Sequence, residues 1–148
     1  MAKKTEGGYC CIKQFMRDWD GCRVELNNPA GLNVSGAITL EAWVQPAASQ
    51  PQFDANIIAH GVNDCGSAEV ALRIENGNYE IVTFDGSNHK ASFPVPNDDL
   101  GSGNWAHIVG TYDGTTYRLY RNGVEVANSP DATGAVPVNA TRIWRHIF

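Results

Sequence analysis

The 148 residues amount to a single domain, long enough to bury about 68–70% of its unfolded surface. With 43% hydrophobic and 18% charged residues the chain is neither a charge-driven disordered segment nor charge-rich like a helical bundle. Lys and Arg number 11 against 16 Asp and Glu, a formal charge of −5 with no basic run, a poor match to nucleic acid or an anionic membrane; no apolar stretch reaches the ~18–20 residues of a membrane span.

The first eight residues carry Lys3 and Lys4 but no apolar region behind them, so they do not form a secretory signal. Residues 1–18 are expected to be an N-terminal extension, with the domain proper over 19–148. Tyr9, Ile12, Phe15, Met16 and Trp19 recur at near-helical spacing. That pattern fits either a short amphipathic helix over Gly8–Asp18 or the lead-in to a first strand.

From there the chain reads as strands. The first is expected at Cys22–Leu26 and the second at Ile38–Gln45, where Ile, Leu, Ala and Val alternate with Thr, Glu and Trp. Ile57–His60 follows. Val70, Leu72 and Ile74 then share one face of a strand that turns at Asn76-Gly77 into Tyr79–Phe84. Lys90–Phe93, Trp105–Tyr112, Tyr117–Arg121, Val124–Ala127 and Arg142–Ile147 complete the set. Asn76-Gly77, Asp85-Gly86, Asp113-Gly114 and Asn122-Gly123 are the residue pairs that close tight hairpins, because their positive φ matches the twist of the flanking strands. All seven prolines lie outside these runs. Residues 45–55 and 95–104 are loops. Short antiparallel strands with almost no helix predict an all-β, two-sheet jelly-roll sandwich.

The cysteines, Cys10, Cys11, Cys22 and Cys65, show no metal spacing. Reduced thiols are expected, with Cys22–Cys65 one of several pairings open to an oxidised chain. Trp43 and Trp105 sit mid-strand among apolar residues and are expected in the core. His107 is expected to be half-buried and hydrogen-bonded. Glu75 and Glu80 flank the Asn76-Gly77 turn, where they read as a solvated hairpin face. Asp98-Asp99 reads as a plain acidic loop. No nucleophile-elbow, zinc-protease, phosphate-loop or dinucleotide motif is present, so no catalytic residue is assigned.

The run from Trp105 to Ala127, with His107, Thr111-Tyr112-Asp113-Gly114 and Asn122-Gly123, resembles the signature of laminin G-like jelly-roll domains. These belong to the concanavalin A-like lectin/glucanase superfamily, which also holds the pentraxins. Ile38–Val44, Ile57–Gly61 and Trp19-Asp20-Gly21 resemble its upstream segments, and the likeness runs from Trp19 to Ile143. The resemblance implies a non-catalytic, extracellular or cell-surface binding module for carbohydrate or a protein partner. A structural remnant of a larger adhesin-like protein, and an accessory domain of a polysaccharide-active enzyme, are the alternatives. Glucan-hydrolysing relatives carry paired carboxylates in a Glu-x-Asp-x-x-Glu strand, which neither Glu41 nor the set Glu69, Glu75 and Glu80 reproduces.

The loop Gly61–Glu69 loosely resembles the pentraxin loop that donates calcium ligands. The resemblance therefore implies Asn63 and Asp64 as ligand-binding residues, with calcium as the metal they would hold. Family members usually close with a Phe-x-Gly-x-Ile-Asp-Glu-x-Arg-Ile-Tyr strand, and Trp144 stands where a glycine commonly occurs. With Phe148 as the last residue, the expectation is a domain lacking that closing strand, which either associates with itself through an open sheet edge or is rescued by the segment Tyr9–Trp19 packing over the gap.

Overall fold

The computed structural model describes residues 23–26, 36–49, 55–61, 69–101, 103–133 and 144–147, the first and last of these segments by backbone alone. Ten strands follow in chain order: β1 (Arg23–Leu26), β2 (Ile38–Val44), β3 (Ala55–His60), β4 (Val70–Glu75), β5 (Asn78–Phe84), β6 (Asn88–Pro94), β7 (Ala106–Tyr112), β8 (Thr116–Arg121), β9 (Val124–Pro130) and β10 (Trp144–Ile147). A single 3-10 turn, Asn97–Asp99, lies between β6 and β7. The all-β expectation holds. Asn63, Asp64, the four cysteines and the segment 1–18 lie outside the described residues.

Two of the expected hairpin tips are two-residue turns with both residues at positive φ. They are Asn76 and Gly77 at 48° and 72°, and Asn122 and Gly123 at 50° and 81°. The other two run one residue longer and are shaped by an aspartate side chain. Asp85 Oδ1 accepts the Ser87 N–H at 3.1 Å, and Asp113 Oδ1 accepts the N–H groups of Thr115 and Thr116 at 2.9 Å each.

All pairings are antiparallel. The strands form a six-stranded sheet ordered β1-β10-β3-β4-β5-β6 and a four-stranded sheet ordered β2-β7-β8-β9. The strand expected at Arg142–Ile147 is β10, and it lies inside the larger sheet between β1 and β3. Pro94 and Pro130 fall within strands, contrary to expectation. Each is the last residue of an edge strand, β6 or β9, where a missing N–H removes no ladder bond.

The core fills the space between the sheets. Leu40, Ala106, Ile108, Tyr112, Tyr117 and Leu119 from the smaller sheet meet Val70, Leu72, Ile74, Tyr79, Ile81 and Ala91 from the larger. Fully burying each large aliphatic side chain stabilises the fold by roughly 1.5–3 kcal/mol. Gly110 lets the sheets approach: a Cβ there would lie 2.6 Å from Ile81 Cβ.

Polar ties cross the same gap. Thr83 Oγ1 and the Tyr117 hydroxyl, on opposite sheets, are 2.5 Å apart. Asp99, expected as part of a plain loop, is 3% exposed and bridges the sheets. It accepts the Tyr79 hydroxyl from β5 at 3.0 Å and Arg121 Nε from β8 at 2.8 Å. The Arg121 hydrogen bond holds its carboxyl below the usual carboxylate range despite burial.

Candidate functional site

Alternation along β2 and β7 decides which side chains face out of the smaller sheet. Leu40, Ala42 and Val44 point inward with Ala106, Ile108, Gly110 and Tyr112. Thr39, Glu41 and Trp43 therefore point outward with His107, Val109 and Thr111. Trp43 lies directly opposite His107 in the ladder. Trp105, immediately before β7, shares His107's phase.

The two tryptophans are not in the core. Trp43 is 64% exposed and Trp105 61% exposed. The physical reason is visible in the strand pattern itself. Trp43 alternates in step with Thr39 and Glu41, so its apolar sequence neighbours belong to the opposite face.

His107 is half-buried, as expected, and its ring is stacked on Trp43 with centroids 5.0 Å apart and planes inclined by 27°. Glu41 Oε2 lies 3.8 Å from His107 Nε2 on the outer side. The backbone below is pinned: the His107 N–H donates to Asn122 Oδ1 at 2.9 Å, and the Asn122 N–H donates to the His107 carbonyl at 2.8 Å. The β8–β9 turn thus holds the start of β7, so Trp43 and His107 stand on paired strands and Trp105 on the residue that leads into β7. Such a surface loses little freedom on binding. An indole face carries negative quadrupole charge and packs against electron-poor C–H groups or cations.

The other polar clusters are inward-facing or structural. On the outer face of the larger sheet, Asn56, Arg73, Glu80 and Ser92 stand in register across β3, β4, β5 and β6. Glu80 is 2% exposed, so the expectation of a solvated hairpin face fails. Arg73 Nε and Nη2 donate to Glu80 Oε2 at 3.1 and 3.0 Å, Lys90 Nζ donates to its Oε1 at 2.6 Å, and Arg73 also pairs with Glu75. Burial alone would push the Glu80 carboxyl up, but the hydrogen bonds from Lys90 and Arg73 outweigh it and hold the group below its usual range. An acid catalyst at neutral pH needs the opposite shift.

At the open side of the sandwich, His89 sits between Asp131 and Asp85. Among the described residues, no group of three or more His, Cys, Asp or Glu is placed to hold a metal ion, and no helix is long and apolar enough to cross a membrane.

Residues 20–146 match the family model of the laminin G type within the concanavalin A-like lectin/glucanases superfamily. The chain is a laminin G-like domain. No curated protein sequence matches it.

Among solved structures, the domain is similar to the binding domain of Paraclostridial Mosquitocidal Protein 1, with TM-score 0.61 and 14% identity over 82% of this chain and 32% of that one. It is also similar to domains LG4-5 of the mouse laminin alpha1 chain, with TM-score 0.58 and 13% identity over 98% of this chain and 39% of that one. The botulinum neurotoxin serotype G binding domain gives 0.51 and 15% over 77% and 32%. The laminin G-like domain therefore spans about a third of each of these chains. At such identities the likeness establishes the shared sandwich and no more.

Proposed function

We propose that this laminin G-like domain is a non-catalytic binding module that takes carbohydrate on the outer face of its smaller sheet. Trp43 and Trp105 stack on sugar rings, and Glu41 accepts hydrogen bonds from ring hydroxyls at the platform's edge. The observation that carries this reading is the exposure of two tryptophans, Trp43 in β2 and Trp105 at the entry to its neighbour β7, the first already braced by a stacked histidine. Large exposed aromatics are uncommon on inert surfaces and recur as binding hot spots. Two of the structural relatives are named as binding domains, which supports the same role.

Hydrolysis is not expected. A retaining glycosidase needs two carboxyl groups ~5–5.5 Å apart beside the scissile bond. Glu41 is the only carboxylate that β2 or β7 contributes to the platform, and Glu75 and Glu80 are both held by Arg73.

The test is affinity electrophoresis of the chain through gels containing laminarin, mixed-linkage glucan, xylan or galactomannan, alongside Trp43→Ala and Trp105→Ala. Retardation by at least one polysaccharide, with about a tenfold loss of affinity in each variant, is expected from the loss of one stacked ring at ~1.4 kcal/mol. Both variants should keep the wild-type melting temperature, since neither indole is in the core. Retardation that survives both substitutions, or its absence on every polysaccharide, would overturn the carbohydrate reading.

A further inference from the structure

The strands β2, β7, β8 and β9 carry two arginines and no lysine. Arg121 is turned between the sheets, where its Nε donates to Asp99. Arg118 faces outward, because Tyr117 and Leu119 on either side of it belong to the core. That guanidinium is already engaged. It pairs with Asp113 in the β7–β8 turn, and its Nε lies 3.9 Å from Glu125 Oε2. Asn128, opposite Arg118 in the ladder, donates to Glu125 Oε1 at 2.9 Å and closes the cluster.

Glu41 stands differently. It lies on the same outer face, two residues from Trp43, with its side chain 68% exposed. Among the described residues no lysine or arginine pairs with it. Its neighbour is His107 Nε2 at 3.8 Å, on the ring that stacks against Trp43. The outer face thus sets three carboxylates, Glu41, Asp113 and Glu125, against one arginine. The carboxylate left uncompensated lies at the edge of the tryptophan strip. An anionic sugar would meet the negative faces of two indoles and no unengaged cation among the described residues. A cationic sugar is attracted by the indoles and by Glu41 alike.

We propose that the ligand class of this platform is a basic amino sugar, a β-linked glucosamine chain with free amines. This deepens the carbohydrate reading of the same face and rests on it. In β-linked glucosamine the ring substituents are equatorial, so the ring faces are C–H surfaces suited to Trp43 and Trp105. The amine projects from the rim of the ring, where its ammonium form meets Glu41 while the C–H face lies on Trp43. Neutral sugars keep the stacking and lack the charge. Uronic acids replace the attraction with repulsion.

An exposed ion pair and a cation beside an indole are each modest contributions. Together they amount to about a tenfold preference for the glucosamine chain over its N-acetylated counterpart, which has the same ring and linkage without the charge.

The experiment is isothermal titration calorimetry on the full chain with oligosaccharides of one length, built from glucosamine, N-acetylglucosamine, glucose or galacturonate. It is run at about 20 mM salt and again at about 300 mM, where exposed charges are screened. Oligolysine of the same charge controls for general attraction to an acidic chain. The glucosamine oligomer should bind about tenfold tighter than the N-acetylated one at low salt. That advantage should shrink at high salt and vanish in Glu41→Gln. Galacturonate should bind weakest, Trp43→Ala should weaken every sugar, and oligolysine should show no dependence on Trp43.

Equal affinity for the two glucosamine forms in wild type, with Trp43→Ala weakening both, overturns the amino-sugar inference and leaves the carbohydrate reading standing. Absence of binding by every sugar overturns both. A glucosamine advantage that survives Glu41→Gln or Trp43→Ala, or that oligolysine reproduces with the same dependence on Trp43, also overturns the inference. Both substitutions fall on exposed side chains. Should either variant fail to fold, the selectivity of the wild type and its salt dependence decide alone.

Discussion

His89 Nδ1 lies 2.6 Å from Asp131 Oδ2, joining an edge strand of one sheet to the residue that follows the edge strand of the other. The Nε2 of the same ring lies 3.1 Å from Asp85 Oδ1 in the β5–β6 turn. The imidazole is thus held between two carboxylates and clasps one side of the sandwich.

This clasp sets a pH dependence. The Asp131 hydrogen bond, with help from Asp85, raises the His89 pKa above its ordinary value against the opposing effect of burial. A raised folded-state value means that the stabilisation is full below the unfolded value near 6.5 and is lost as pH rises through the folded one. Asp131, lowered to about 2 chiefly by the His89 hydrogen bond, and Asp85, lowered first by the Ser87 backbone, contribute in the opposite sense and weaken as pH falls through their folded values. The melting temperature should therefore fall on the alkaline side. His89→Gln should remove part of that slope. An identical alkaline slope in wild type and His89→Gln would show that the clasp carries no such stability.

The inter-sheet bridge at Asp99 is the second test. Asp99→Ala removes the acceptor from the Tyr79 hydroxyl, on a side chain that is itself fully buried, and leaves Arg121 without its carboxylate. Orphaning a buried donor and half an ion pair costs about 2–4 kcal/mol. Urea melts should show that loss. A change within the ~0.5 kcal/mol typical of surface substitutions would contradict the bridging role.

Gly110→Ala tests the spacing of the sheets. The added methyl would lie 2.6 Å from Ile81 Cβ, a clash that neither side chain can relieve by rotation. Overpacking of this kind costs about 1–3 kcal/mol. Combining it with Ile81→Gly should cost less than the sum of the two single changes, because the second removes the Cβ, Cγ1 and Cδ1 atoms that the first strikes. Strict additivity would mean that the two residues do not share the contact.

Asn56 predicts a gain. The residue is 4% exposed, and its buried Oδ1 has no hydrogen-bond partner among the described residues. A buried orphan acceptor costs roughly 1–3 kcal/mol. Asn56→Val, which suits a strand and removes the polar group, should raise stability by about 1 kcal/mol. A lower melting temperature would show that the amide is satisfied in solution.

What the sequence by itself determined was set by neighbours along the chain. Asn76-Gly77 and Asn122-Gly123 form the turns they were expected to form, because Gly and, among other residues, Asn tolerate the positive φ that a two-residue hairpin turn requires. Period-two alternation located the strands, since it records which backbone positions share a face. The Trp105–Ala127 signature named the family, because its turns and strand phases lie within a few residues of one another. Tertiary structure alone decided which faces were covered and which side chains met. Tyr79 and Asp99 are 20 residues apart, Thr83 and Tyr117 are 34, and His89 and Asp131 are 42. No local pattern encodes such pairs.

Glu80 shows the limit most clearly. Its phase is opposite to that of Tyr79 and Ile81, which locally means solvent, yet cross-strand Arg73 and Ser92 and the nearby Lys90 enclose it. Trp43 errs the other way: alternation alone placed it outward, and its hydrophobicity argued against the correct answer. A strand's phase distinguishes its two faces, but only the order of the strands and what packs over them determines which face meets water.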